Sequence, residues 1–303
     1  MSVPPRTAAP PVLTPLDLTA ALAVVVLWAF NFIAGKIGVQ QFPPLFLIAL
    51  RFGLVALLLA PYLRQPLGRR TRRVMVLSVV FGCCHFGLLF FGMSGVDAGP
   101  AAIAAQLTVP FSALLAFLVY RERLRRWQII GMLVAFSGVY LLAGTSGNPL
   151  SVPHLLAVVG GALAWSVSNL LIKGLGHMNA FQLNAWVAAL AAPQLLGWSL
   201  LLERGQGKAL VGANWLGWAA IAYMAVGASI TAYGLWYHLV EKYEVNQVVP
   251  LTLLAPVLAV LLAALLLGEE LSMPILIGGA LTITGVAMIQ FLGARRTGPR
   301  GHD

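Results

Sequence analysis

Two charged or titratable side chains stand inside long apolar runs of this chain. Arg51 lies in LFLIALRFGLVALL and His85 lies in GCCHFGLLFF. An arginine keeps its proton in proteins, so in apolar surroundings it needs an anion, carbonyl oxygens or water as a partner. A histidine titrates near neutral pH. These residue types indicate a carboxylate-binding charge at Arg51 and a proton-coupling group at His85. For both, the alternative is a hydrogen bond to the backbone of another helix.

Amides and aromatic rings in the same kind of segment complete the set of candidates. An amide can bond a solute or another helix, and an aromatic ring gives an amphipathic metabolite a flat apolar wall with a polar edge. Tyr233, Trp236 and Tyr237 have the i, i+3, i+4 spacing of one helix face. Helix packing is the alternative use for each. The residues predicted to line a substrate cavity with Arg51 and His85 are Trp28, Asn31, Gln106, Trp165, Asn169, Asn184, Tyr233 and Tyr237.

The sequence offers no set of residues for other kinds of chemistry. It contains no HExxH motif, no pair of carboxylates within one apolar run and no P-loop. The two cysteines, Cys83 and Cys84, are adjacent, which favours neither a disulfide framework nor a metal site. An ion channel would need a re-entrant filter or rings of like charge. We therefore predict no catalytic residue, no metal and no cofactor, and a secondary transporter is favoured over an enzyme or a channel.

The segments that must position these side chains are hydrophobic helices. Of the 303 residues, 60% are apolar and only 9% are charged. A bilayer core about 30 Å thick needs roughly 20 apolar residues per helix, and such runs follow one another almost without a break. The sequence predicts an all-α integral membrane protein with a lipid bilayer as its surroundings. The ten predicted transmembrane helices are 18–38, 44–63, 74–94, 99–120, 127–144, 153–173, 180–202, 215–239, 246–267 and 273–292.

The positive charges predict the orientation of these helices. If the N-terminus is cytoplasmic, inner segments hold 15 of the 19 lysines and arginines, and outer segments hold only Arg204 and Lys208. The remaining two, Lys36 and Arg51, lie within spans. Short cytoplasmic loops carry an excess of lysine and arginine, so both termini are predicted to be cytoplasmic. The net charge of +10 therefore needs no nucleic acid as a partner.

A spacing of one glutamate and two glycines occurs twice. Glu122 precedes Gly131 by nine residues and Gly138 by sixteen, and Glu269 has the same relation to Gly278 and Gly285. Seven residues are two helical turns, so each glycine pair lies on one stripe where another backbone can come close. Each glutamate is predicted to stabilise the first turn of the helix that follows it, with proton coupling as the alternative.

The two copies of this spacing begin on opposite sides of the membrane, because Glu122 lies in a predicted inner loop and Glu269 in a predicted outer loop. Trp28 precedes Lys36 by eight residues in the first predicted helix, and Trp165 precedes Lys173 by eight in the sixth. Since five helices are an odd number, a duplicated half must insert upside down, which gives two inverted five-helix repeats. The predicted divisions are a disordered cytoplasmic tail at 1–15, repeats at 16–144 and 153–292, and a second cytoplasmic tail at 293–303.

The doubled pattern P-x₁₁₋₁₂-E-x₈-G-x₆-G resembles the drug/metabolite transporter superfamily, and specifically its EamA domain, which occurs twice in ten-helix members. Segments 92–106 and 232–271 are similar to exporters of O-acetylserine and cysteine within that family. The resemblance implies alternating access in a bacterial inner membrane, with small amino acids or their derivatives moved outward and protons as a candidate coupling ion. It leaves open nucleobases, aromatic compounds or drugs as substrates, a non-transporting membrane protein, and a monomer or a homodimer.

Overall fold

The computed structural model describes residues 13–121, 124–143, 151–176, 178–243 and 245–292. This part of the chain is all helical, and the ten predicted helices are confirmed. Within these described ranges, nine helices are long and apolar enough to cross a membrane, and the second is a shorter apolar helix. The helices are α1 (Pro15–Val39), α2 (Pro44–Leu58, continued by Ala60–Leu63), α3 (Gly68–Gly95), α4 (Ala98–Tyr120), α5 (Arg126–Ala143), α6 (Ser151–Lys173), α7 (Ala180–Leu202), α8 (Trp215–Lys242), α9 (245–267) and α10 (Met273–Leu292).

The ends of the helices differ from the prediction in a few places. Thr14 caps α1 by accepting a hydrogen bond from Asp17 N, so helix begins at the end of the predicted tail 1–15. The rest of that tail, up to residue 12, and the tail 293–303 lie outside the described residues. A short helix, Gln206–Gly212, connects α7 to α8 and was not predicted.

The helix pairs repeat between the two halves. Helix α1 packs against α8 and α9, and its counterpart α6 packs against α3 and α4. Two further large contacts join a helix to its own counterpart, α2 to α7 and α5 to α10. These pairings are matched when each helix is exchanged with the one five places along the chain. Five helices per half make the halves inverted, as expected for this class of membrane repeat.

Of the described helices that depart from regular α geometry, four form two equivalent pairs. In α3 the segment Ser78–Phe86 is a π-helix, and in its counterpart α8 the segment Met224–Thr231 is also a π-helix. Helix α4 is interrupted at residues 106–107, and α9 contains the 3₁₀ segment Val249–Leu253. Single wide π turns are rare in helices and are frequent at functional sites. The sequence predicts all four helices as unbroken.

Proline accounts for the interruption in α4. Pro110 has no N–H to donate to the carbonyl of Gln106, four residues before it. That carbonyl instead accepts a hydrogen bond from Val109 N at 3.0 Å, which tightens the turn. The side chain of Gln106, one of the predicted cavity residues, therefore lies at a bend in the helix rather than on a straight face.

The four glycines of the repeated spacing lie where α5 crosses α10. A Cβ atom placed on Gly138 would lie 2.5 Å from the carbonyl oxygen of Gly278, and one on Gly278 would lie 2.7 Å from the carbonyl oxygen of Gly138. Gly131 and Gly285 oppose each other in the same way, with 2.6 Å between a Cβ on Gly131 and the carbonyl oxygen of Gly285. The two backbones thus touch at two levels, two turns apart, and only glycine leaves room for the contact.

The predicted role of Glu269 is wrong. Its carboxylate accepts hydrogen bonds from Ala98 N at 2.7 Å and Gly99 N at 3.0 Å, at the beginning of α4 rather than of α10. Glu269 lies in the α9–α10 connection and reaches across to a helix of the other half, where free N–H groups and the helix dipole attract an anion. Glu203 does the same for α2, since it accepts from the backbone N–H of residues 45 and 46. The other glutamate of the pattern, Glu122, lies outside the described residues.

Candidate functional site

Arg51 is the largest fully buried side chain of the described residues, with 1% of its surface exposed. Its Nε and Nη2 donate to the hydroxyl oxygen of Ser229 at 3.1 and 2.8 Å, and its guanidinium carbon lies 4.7 Å from the centre of the Phe86 ring. Among the described residues no carboxylate lies within ion-pair distance, and Nη1 is buried without a hydrogen-bond partner. A charged donor of this kind is available to an anion.

Ser229 belongs to the π-helical segment of α8 and connects three helices. Its hydroxyl donates to the carbonyl oxygen of Met224, five residues before it, at 3.0 Å. Its own carbonyl oxygen accepts a hydrogen bond from Asn184 Nδ2 of α7 at 2.7 Å. Arg51 of α2 and Asn184 of α7, two of the predicted site residues, therefore meet at one residue of α8.

The equivalent π-helical segment, in α3, also accepts a polar side chain from a neighbouring helix. Gln194 Nε2 of α7 donates to the hydroxyl oxygen of Ser78 at 3.0 Å, and Gln194 Oε1 lies 3.4 Å from Cys83 Sγ. Polar groups in an apolar bundle act as local attachment points between helices. Gln194 was missed because a single glutamine in an apolar run carries no sign of its partner.

His85 is buried, and its ring is hydrogen-bonded to another helix of the same chain. Its Nδ1 lies 2.9 Å from the carbonyl oxygen of Gly161 in α6, and a carbonyl requires that this nitrogen be the donor. Its ring lies 4.7 Å from the ring of Trp165 and 4.5 Å from that of Phe86, measured between centroids. The geometry matches the alternative in the sequence analysis, a hydrogen bond to the backbone of another helix.

The aromatic candidates form two groups, and each joins a helix of the first half to a helix of the second. Trp28 of α1 packs against Tyr233 and Trp236 of α8, with ring centroids 5.6 and 5.4 Å apart, and Tyr237 stacks on Tyr233 at 6.2 Å. We call these four residues the α1–α8 ring cluster. Tyr233 stands four residues after Ser229, to which Arg51 donates, so the cluster lies about one turn along α8 from the residue that binds the guanidinium.

Trp165 of α6 packs against Phe81 of α3 at 5.2 Å as well as against His85. Helices α6 and α3 are the counterparts of α1 and α8, so the two predicted tryptophans occupy matched pairs of helices. Both rings are partly buried between helices. The ring of Phe86 contacts both His85 and the guanidinium of Arg51, so Arg51 also lies beside this second aromatic group.

The remaining amides differ in their surroundings. The Oδ1 atom of Asn31 is buried and has no hydrogen-bond partner. Asn169, another predicted cavity residue, is exposed on α6, whereas the neighbouring Ser166 and Ser168 are buried and bond to backbone carbonyls. Asn31 and Asn169 thus lie in unlike environments, and the symmetry of the halves does not extend to this pair.

A cluster of titratable groups at one end of the α1–α8 contact was not predicted. Asp17 is 4% exposed at its side chain and bonds Lys242 Nζ at 2.7 Å and the Tyr243 hydroxyl at 2.6 Å. His238 Nε2 lies 3.3 Å from the same carboxylate. The predicted candidates lie inside the spans, and Asp17 stands before the predicted start of the first span. The ion pair between Asp17 and Lys242 attaches the start of α1 to the end of α8.

Lys36 holds the opposite end of α1. Its Nζ donates to the carbonyl oxygens of Met93 and Val96 at 3.2 and 2.8 Å and lies 3.3 Å from Asp97 Oδ1. Met93 lies in the last turn of α3 and Val96 caps its end, where a cation is stabilised by the helix dipole. Helix α1 is therefore fixed by charged groups at both ends, with Trp28 and Asn31 between them.

An open depression of about 730 Å³ lies near the same end of α1 as Lys36. It is lined by the α1–α2 connection, the short helix Gln206–Gly212 and the start of α8, with Arg204 and Lys208 on its rim. The predicted cavity residues are not part of its lining.

Ten hydrophobic helices in two inverted halves, with polar groups buried where the halves meet, define a polytopic membrane protein of the transporter class. The sequence model of the EamA-like transporter family matches residues 16–144 and 153–291, and the chain belongs to this family. It is a transporter and not an enzyme.

Relatives and a solved structure agree with this assignment. The chain is 33% identical over 276 residues to a probable amino-acid metabolite efflux pump of Salmonella typhimurium, covering 88% of this chain and 92% of the relative. It is 31% identical to the protein of the same description from Escherichia coli, covering 89% and 93%. A probable terminal-alkyne amino-acid exporter of Streptantibioticus cattleyicolor is 29% identical, covering 91% and 95%. A crystal structure with 22% identity superposes with a TM-score of 0.63 over 93% of this chain and 98% of that one, which supports the fold.

Proposed function

We propose that this protein exports small neutral amino acids and their derivatives, such as cysteine and O-acetylserine, across a bacterial inner membrane by alternating access. Amino-acid efflux is the activity given in the descriptions of the relatives from Salmonella typhimurium and Escherichia coli. The observation that carries the proposal is the buried guanidinium of Arg51, which has a donor without a partner and no carboxylate beside it among the described residues.

A substrate carboxylate fits this donor in charge and in geometry. A buried cation is costly in an apolar interior unless an anion or several acceptors surround it. The hydroxyl of Ser229 supplies one acceptor for two of the guanidinium nitrogens. A carboxylate at Nη1 would add a charge-assisted hydrogen bond, worth about 1.5–3 kcal/mol or roughly ten- to a hundredfold in affinity.

The test is transport by purified protein in liposomes, with two probes that differ only in the carboxylate. L-cysteine carries it and cysteamine lacks it. Wild type is expected to transport L-cysteine at least tenfold better than cysteamine, and Arg51→Gln is expected to lose most of this preference. Arg204→Gln is the matched control, because Arg204 is exposed at the rim of the depression. If Arg51→Gln keeps the preference of the wild type, Arg51 does not bind the carboxylate.

The α1–α8 ring cluster favours a second candidate, the export of amphipathic aromatic compounds. Four rings beside one charge suit a planar solute, whether or not it is an amino acid. Competition against L-cysteine by a nucleobase and by a non-ionic aromatic compound separates the candidates. Strong competition by these compounds, together with weak competition by other neutral amino acids, would favour the second.

We propose the orientation in which both termini are cytoplasmic and Arg204 and Lys208 face outward. With Cys83 and Cys84 replaced by serine, a cysteine at Lys208 should react with an impermeant maleimide in intact cells, and one at Arg69 should react only after permeabilisation. Both positions are exposed. The opposite labelling pattern would reverse the orientation.

Uptake in the same liposomes with and without a pH gradient tests protons as the coupling ion.

A further inference from the structure

Among the described residues, Asn31 and Arg51 carry complementary polar atoms without partners in the two consecutive helices α1 and α2. Asn31 Oδ1 is a buried hydrogen-bond acceptor, and Arg51 Nη1 is a buried charged donor. Buried polar groups are nearly always paired in folded proteins, so each unpaired atom requires an explanation. A ligand that carries both a donor and an anion would satisfy the two together.

The two residues lie at similar depth in the bundle. Helix α1 ends at Val39 and α2 begins at Pro44, so these ends lie on the same side of the membrane. Asn31 stands eight residues before the end of α1 and Arg51 seven residues after the start of α2. At 1.5 Å per residue both are about 10–12 Å from that side.

One aromatic wall connects them. Asn31 follows Trp28 by three residues and so shares its face of α1. The ring of Trp28 contacts that of Tyr233, and Tyr233 stands four residues after Ser229, to which Arg51 donates. The acceptor and the donor therefore border the same α1–α8 ring cluster.

We infer that Asn31 accepts a hydrogen bond from the ammonium group of a zwitterionic α-amino acid whose carboxylate binds Arg51, so that Asn31 determines selectivity for substrates with an α-amino group. The inference rests on the proposed function and refines it. It assigns Asn31 to the side of the site opposite the guanidinium.

A neutral acceptor is the chemistry that this bundle offers to an ammonium group. The acidic residues of the described chain stand at helix ends or in connections, namely Asp17, Asp97, Glu203, Glu241, Glu269 and Glu270. At the depth of Arg51 an ammonium must therefore be met by an amide or carbonyl oxygen, supplemented by the face of an aromatic ring such as Trp28. A neutral oxygen holds a cation less firmly than a carboxylate does, which favours release of the substrate after transport.

The experiment compares L-cysteine with 3-mercaptopropionate, which keeps the carboxylate and lacks the amino group. In liposomes, wild type is expected to transport L-cysteine at least tenfold better. Asn31→Leu, of nearly the same volume, is expected to lower L-cysteine transport by about ten- to a hundredfold and to leave 3-mercaptopropionate within about twofold, because only one charge-assisted hydrogen bond is lost. The ratio of the two rates is the readout, since a structural defect would lower both.

Gln290 provides the matched control. Its Oε1 is also buried without a partner, but it lies near the end of α10. Gln290→Leu should leave the ratio of the two rates unchanged. If Asn31→Leu lowers transport of both probes equally, or of neither, Asn31 does not bind the amino group. The inference is then wrong while the proposed function stands. If wild type transports neither L-cysteine nor any other neutral amino acid, the proposed function itself fails.

Discussion

Replacing Gly138 by alanine should destabilise the protein through the crossing of α5 and α10. The new Cβ would lie 2.5 Å from the carbonyl oxygen of Gly278 and 2.7 Å from the backbone nitrogen of Thr282. A relaxed contact between carbon and oxygen is about 3.3 Å, so the helices must separate by about 0.8 Å at this level. Both obstructing atoms belong to backbone and cannot move aside as a flexible side chain would.

The expected loss can be estimated from overpacking in other proteins. Inserting a methyl group into a filled interior costs about 1–3 kcal/mol. For a chain of this length, a loss of 1 kcal/mol lowers the melting temperature by about 2 °C, so Gly138→Ala should melt about 2–6 °C below the wild type. Thermal unfolding of purified protein in detergent, followed by tryptophan fluorescence, measures the shift.

Gly53 and Gly197 provide matched controls. They lie within α2 and α7, and a Cβ on either would meet no atom within 4 Å. Alanine is favoured over glycine inside a helix by about 0.5–1 kcal/mol, so Gly53→Ala and Gly197→Ala should melt at or above the temperature of the wild type. If Gly138→Ala melts with these controls, the backbones of α5 and α10 are not in contact and the explanation of the repeated glycines is refuted.

Further predictions concern the charged and polar contacts between helices. Asp17→Asn should lower the melting temperature more than Lys242→Gln, because the aspartate is 4% exposed and the lysine 45%, and equal shifts would contradict the ion pair as the end contact of α1 and α8. Burial raises the pKa of Glu269 above its ordinary 4.5, against backbone N–H groups that lower it. The stability from this titration is present below 4.5 and lost as pH rises through the higher folded-state value. The melting temperature of the wild type should therefore fall above pH 4.5, and Glu269→Gln should make this fall shallower. Parallel curves of melting temperature against pH for the two proteins would contradict this. Ser229→Ala should lower the melting temperature yet keep the preference for L-cysteine over cysteamine, and loss of the preference would show that Ser229 is needed to position Arg51.

The ten helices could be predicted because the property that selects them is local. A run of about 20 apolar residues is long enough to cross a bilayer whatever its neighbours are. Residues such as Pro43 before α2 and Ser272 before α10 mark where these runs begin. The relative orientation of the two halves could be predicted as well, since an odd number of helices per repeat leaves only the inverted arrangement.

The partners of polar residues could not be predicted, because they are chosen by helices far away in the sequence. Glu269 was expected to act on α10, which follows it by four residues, but it reaches Ala98 in the other half. Nothing near Glu269 in the sequence indicates that α4 begins beside it in space. The π-helical segments of α3 and α8 were missed for a related reason. Their sequences keep ordinary apolar composition, and the wide turn is visible only in the backbone hydrogen bonds.

The two uses considered for Arg51, attachment to another helix and binding of a carboxylate, do not exclude each other. A guanidinium has five N–H donors in a fixed planar arrangement, so one edge can be committed while another remains free. Here Nε and Nη2 are committed to Ser229 in the π-helical segment of α8, and Nη1 is not. A carboxylate bound at Nη1 would draw the same delocalised charge away from Ser229, since both acceptors share one cation. Binding of substrate and the attachment of α2 to α8 are therefore coupled through a single side chain, at the place where α8 departs from regular helix.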